Sequence, residues 1–298
     1  MDFNKERFLN FGRYDLIINK SFYRTMALIC IFGSTGIAFV AFFGRWLMAN
    51  AFESVGLEQL QDFWSYKHVT ITAIALIMFT SIMHVIFAGC TFHNLRNKQG
   101  RISELTLPAT NLEKYIWHLG LVIIGGTLAI ILSLVCSDAL NALLNLIFHP
   151  LDYQSSIIYT IYEFMLFRHT TINGISLADM KEMQGLLSAL RFMSIAMSVS
   201  GFAFFVLGNA IKYKYNIILT YITFEFSVSI ITISAIFIIK SLHDNCSLDF
   251  IQTEEEALAY IKATLNIIAI FNYLLTGIYF WLSYKLYKKA QITSGWNK

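Results

Sequence analysis

Charge is scarce in this chain: only 14% of its 298 residues are Asp, Glu, Lys or Arg, against 56% apolar residues and a mean hydropathy of +0.58. A soluble domain carries about a quarter charged residues, so this composition excludes a soluble globular protein and length must be counted in membrane spans. Cysteine is sparse as well. Cys30, Cys90, Cys136 and Cys246 show no CxxC spacing, which argues against a zinc site. The chain has no GxxxxGKS or GxxxxGKT loop, which excludes ATP binding of the P-loop kind, and it has neither HExxH nor GxSxG. Glu254-Glu255-Glu256 lacks the downstream arginine and histidine pattern of membrane CAAX-type proteases and reads as a solvated cap to the last span. No nucleic-acid motif and no internal repeat occurs, and no cofactor or metal is expected.

What is present is a series of long apolar runs. Spans are expected at 25–43, 69–91, 116–136, 187–211, 217–239 and 262–284, each near the length that crosses a bilayer. The start, MDFNKERF, is charged and lacks the apolar region and cleavage site of a secretory signal, so the first span is expected to remain as an anchor. Segments assigned to the inside hold 15 of the 22 Lys and Arg residues, which places both ends in the cytoplasm. The fold class is therefore all-α: a polytopic membrane protein of six transmembrane helices in one domain.

Three segments lie outside that pattern. Residues 1–24 mix Phe, Leu, Ile and Tyr with Lys5, Arg7, Arg13 and Lys20, as in an amphipathic helix lying at the interface against anionic lipid headgroups. Residues 137–186 form an outer segment too long for a turn. Two amphipathic helices are expected there, at 138–149 and 153–167, with Pro150 between them; the second is too short to span and reads as interfacial or re-entrant. The third segment, 92–115, is polar, with four basic residues (Arg96, Lys98, Arg101, Lys114) against Glu104 and Glu113. The second span is expected to continue as a helix toward Gly100, which would end it in a left-handed C′ conformation. Pro108 keeps Leu107 out of helical geometry, and Thr110 with Glu113 forms a capping box that starts the next helix. Residues 101–110 would then be a short shaped connector.

NLRNKQGRISELTLPATNLEKY in this segment, with RFLNFGRYDLIINKSFYR near the start, resembles a group of bacterial inner-membrane proteins identified as permease subunits of ABC-2-type transporters. The resemblance covers about 45 residues, and the hydropathy layout follows the group over the remainder. It implies an elbow helix at the amino end, a dimer of like or unlike permease subunits, and a coupling element between the second and third spans that docks on a separate cytosolic ATPase. Arg96, Lys98, Arg101 and Glu104 are the expected docking residues, with Ser103 and Thr106 beside them. The external helices of the group lie between the last two spans, whereas here the insertion follows the third.

Within the spans, Glu225 stands near the middle of the fifth, where an ionised carboxylate costs about 2.5 to 3.5 kcal/mol. His84 in the second span falls at a similar depth, and together with Asn272 of the sixth it could form a polar centre. The alternative is a protonated Glu225 bonded locally. His84 and His118 could in principle ligate haem, but His118 is only a few residues into its span and no second pair exists. Cys136 and Cys246 share the outer side, where they either pair or stay as free thiols. Two other functions fit the same layout: a non-transporting scaffold or sensor that docks a cytosolic partner, and an intramembrane enzyme using Glu225 and His84, for which no catalytic spacing is present.

Overall fold

The computed structural model describes residues 3–55, 58–96, 98–148, 156–166, 171–172, 175–176, 181–211, 220–223 and 254–292. These residues are almost wholly helical: α1 (Lys5–Ile18), α2 (Lys20–Val55), α3 (Glu58–Gly89), α4 (Lys98–Thr106), α5 (Asn111–Gly120), α6 (Gly126–Phe148), α7 (Ile157–Met165), α8 (Lys181–Ile211) and α9 (Glu254–Ile292). A 3-10 turn at His93–Arg96 precedes α4, and a two-residue hairpin pairs Thr171–Ile172 with Ile175–Ser176. Among the described residues five segments are long and apolar enough to cross a membrane: Lys20–Met48, Val69–Gly89, Asn111–Phe148, Met183–Ile211 and Leu258–Lys289. This is the make-up of an all-α, multi-pass membrane protein. The expected span at 217–239 falls mostly outside the described residues.

The chain divides into two units, 1–87 with 108–169, and 88–107 with 170–298. In the first, α2, α3 and α6 run up, down and up. Cys30 of α2 clusters with Met83 and Phe87 of α3 and with Ile130 of α6, while Ala38 clusters with Val69, Ala73 and Leu76. Small residues allow the helices to close. Gly33 lies against the Phe79 ring, and a methyl group on Gly126 would stand 3.2 Å from the Phe87 ring. On α6, Ser133, Ser137, Asn141 and Asn145 recur every fourth residue and are all buried, which gives the α2–α6 contact a polar seam. Ser34 donates to the Ser133 carbonyl at 3.1 Å, and Arg45 stands 3.5 Å from the Asn145 amide oxygen. Apolar packing between these helices gains little in lipid, so such bonds and close contacts hold them.

In the second unit α8 and α9 lie side by side and parallel. Gly185 meets Lys262 near the start of both helices, Phe192 and Ser200 meet Tyr273 and Asn272 midway, and Phe204 meets Tyr279 further on, so the two helices run in the same direction.

Four expectations are corrected. The helix of the second span ends at Gly89 rather than Gly100, because i+3 bonds take over: Thr91 N–H donates to Ala88, His93 to Cys90 and Leu95 to Phe92. Gly100 is inside α4, where only a hydrogen fits against the Asn94 carbonyl; close approach, not a left-handed turn, requires it. Residues 101–106 are accordingly helical rather than part of a loop. The helix of the third span does not stop at Cys136 but reaches Phe148, absorbing the expected separate helix at 138–149. With no glycine or proline after Gly126, nothing breaks it, and a π turn at Leu121–Gly125 joins it to α5 as one rod.

The second helix of the insertion is present as α7. Asp138 of α6 holds its amino end, accepting from Ser156 Oγ and from the Ile157 N–H, each at 2.7 Å. The apolar face of α7, Ile157 and Ile161, packs into the α2–α3 cluster. Its nine residues are too few to cross a bilayer.

Candidate functional site

The polar interval between α3 and α5 folds as a preformed helix. Helix α4 carries few apolar residues, too short a run to be stable alone, so its stability must come from what it touches. One side is fixed. Gly100 seats it on the Asn94 carbonyl, and Glu104, 3% exposed, accepts a hydrogen bond from the hydroxyl of Tyr287 on α9. Tyr287 is fully buried, with its ring 5.0 Å from that of Phe92 in the turn before α4. The connector between α3 and α5 thus packs with the last helix of the chain.

The opposite side of α4 is free of these contacts. Gln99, Ile102 and Thr106 are exposed and fall three and four residues apart, hence on one stripe, with Ile102 52% exposed. Ser103 is half-buried and its carbonyl accepts from Thr106 Oγ1 at 2.9 Å. Of the expected docking residues, Glu104 faces inward and holds α4 to α9. Arg96, Lys98 and Arg101 are in the described backbone, while their side-chain surroundings are outside the described residues.

After the bend at 107–109, α5 opens with the capping box expected from the sequence. Thr110 Oγ1 accepts from the Glu113 N–H at 3.2 Å, and Glu113 accepts from the Thr110 N–H at 2.8 Å. Glu113 also does something no local pattern shows. Its carboxylate, fully buried, takes Arg7 of α1 in a bidentate pair at 2.7 and 2.8 Å, and the Asn4 N–H at 2.9 Å. The Arg7 guanidinium, with the Asn4 and Thr110 donors, compensates a carboxylate that would otherwise be a buried unpaired charge. About two turns further along α1, Asp15 accepts from Asn19 Nδ2 and Tyr23 Oη at 2.7 Å each, and from Trp117 Nε1 at 3.0 Å. Phe8 meets the Trp117 ring edge-on and Phe11 meets His118; Gly12 leaves room for the indole. The amino-terminal helix is thereby clamped to the start of the third membrane helix.

The expected intramembrane polar residues fall in separate places. His84 is exposed, with Nδ1 3.1 Å from the Thr80 carbonyl of its own helix. Asn272 accepts from Ser200 Oγ at 3.0 Å and donates to the Ile268 carbonyl at 2.9 Å, tying α9 to α8. His84 belongs to the first unit and Asn272 to the second, and Glu225 lies outside the described residues. Cys136 is half-buried, whereas Cys246 is outside the described residues. Among the described residues no group of His, Cys, Asp and Glu could hold a metal ion.

Sequence reasoning missed Arg7, Asp15, Trp117, Phe92 and Tyr287. Each acts through a partner far along the chain, and no local spacing marks it. No family model, no curated protein and no solved structure matches this chain.

Proposed function

We propose that this chain is the permease subunit of an ABC-2-type exporter in a bacterial inner membrane, working as a dimer of permease subunits beside a separate cytosolic ATPase. The observation that carries the reading is α4: a preformed helix between two long apolar helices, anchored on one side by Glu104 and Gly100, with an outward stripe centred on Ile102. A coupling element must be rigid enough to pass on a push and must offer an apolar contact to its driver, and α4 meets both needs. In the resembled family this is the place of the element that docks on the ATPase.

The helix directions support six spans with both ends inside. The parallel α8 and α9 are what a chain with one further crossing between them would give. The pairing of α4 with Tyr287, which joins the far end of α9 to the connector, supports a cytoplasmic carboxyl end.

The test is purification of tagged protein from its native cells in mild detergent, with mass spectrometry of what is retained. A stoichiometric P-loop ATPase, lost from an Ile102→Glu variant that still folds, is the expected result. Its absence, under conditions that preserve other membrane complexes, overturns the transporter reading in favour of the scaffold.

A further inference from the structure

We infer that the Tyr287 hydroxyl makes α9 follow α4, so that a displacement of the connector passes into the α8–α9 pair and not only along the chain into α3 and α5. The chain neighbours of α4, the body of α3 and all of α5, belong to the first unit, while α4 itself belongs to the second, with α8 and α9. Its tie within that unit is specific. Tyr287 is fully buried, its hydroxyl donates to the buried Glu104 carboxylate, and Phe92 covers its ring at 5.0 Å. A bond of this kind, shielded from water, is stronger than an exposed one and costly to break, so moving Glu104 moves Tyr287 with it.

From Tyr287 the path is a continuous helix. Residues 254–292 form one rod, and the rod is pinned to α8 by Ser200 and Asn272 and by Phe204 and Tyr279. Rigid secondary elements joined by packed side chains are the physical carriers of coupling. Tyr287 is thus a positioning residue, coupling the connector to a helix pair through a bond that spans 183 positions of sequence. The tie is a property of the chain alone; only its use in transport rests on the proposed function.

The experiment uses hydrogen–deuterium exchange on the full chain in nanodiscs, without any ATPase. Gly100→Ala is the push, because its added methyl group cannot fit against the Asn94 carbonyl and α4 must shift. With Tyr287 intact, Gly100→Ala is expected to raise exchange across residues 280–289 by about tenfold, as the intact bond draws α9 along with the shifted α4 and eases its local opening. In the Tyr287→Phe background the same substitution should change that segment by less than about twofold. Glu104→Gln, which keeps an acceptor, should preserve the response, and Glu104→Ala should abolish it. Exchange in α1 and in the first turn of α5 reports that each variant is folded. An equal response with and without the hydroxyl, or a shift confined to α4, overturns the inference, and neither outcome depends on whether an ATPase co-purifies.

Discussion

Arg7 on α1 grips Glu113 on α5 with both arms of its guanidinium, Nη2 to Oε1 at 2.7 Å and Nε to Oε2 at 2.8 Å, across 106 positions of sequence. The carboxylate is fully buried and would be an uncompensated charge without its partner. Arg7→Met is therefore expected to release the amino-terminal helix, raising amide exchange across α1 by at least about tenfold. Arg7→Lys should fall between, since a point charge cannot form the planar pair.

Glu113→Gln keeps the shape of the side chain but removes the charge that Arg7 pairs with. Protection of α1 in that variant should fall by about tenfold, read by amide exchange.

Removing the cap tests the start of α5. Thr110→Ala loses the acceptor for the Glu113 N–H and should cost about 1 kcal/mol, with exchange rising in residues 111–114. Thr110→Ser keeps the oxygen and should behave as the unaltered chain.

Asp138 of α6 holds the amino end of α7, accepting both from Ser156 Oγ and from the Ile157 N–H. Asp138→Ala leaves these donors without their acceptor at a cost of about 1 to 3 kcal/mol. Cysteine labelling at position 161, slow while Ile161 is packed against α2 and α3, should become fast in that background. Unchanged labelling would show that apolar packing alone holds α7.

What could be read along the chain was what local chemistry decides. The capping box of Thr110 and Glu113 is a four-residue pattern, and it formed as read. Long apolar runs likewise became long helices. Helix ends were harder. A span of bilayer length from Ile116 ends near Cys136, yet a helix stops at a breaker, and none follows Gly126 before the end of α6 at Phe148. Asn111–Phe148 is 38 residues, about 57 Å of helix against roughly 30 Å of hydrocarbon, so part of it extends beyond. Conversely α3 ends at Gly89, a residue with poor helix propensity that could have signalled the stop. Glu104 shows where sequence reading runs out. Among basic neighbours it looked like part of a charged surface, and its inward orientation depends on Tyr287, 183 positions away.

The most direct measurement of the central claim is photocrosslinking in living cells from a probe amino acid placed at Ile102. Ile102 lies on the outward stripe of α4, and a second probe at Leu112, exposed on α5, serves as comparison. The account predicts a single strong adduct from position 102 with a P-loop ATPase, weak or absent from position 112. Adducts from position 102 to lipid alone, or to a protein without a nucleotide-binding domain, would contradict it.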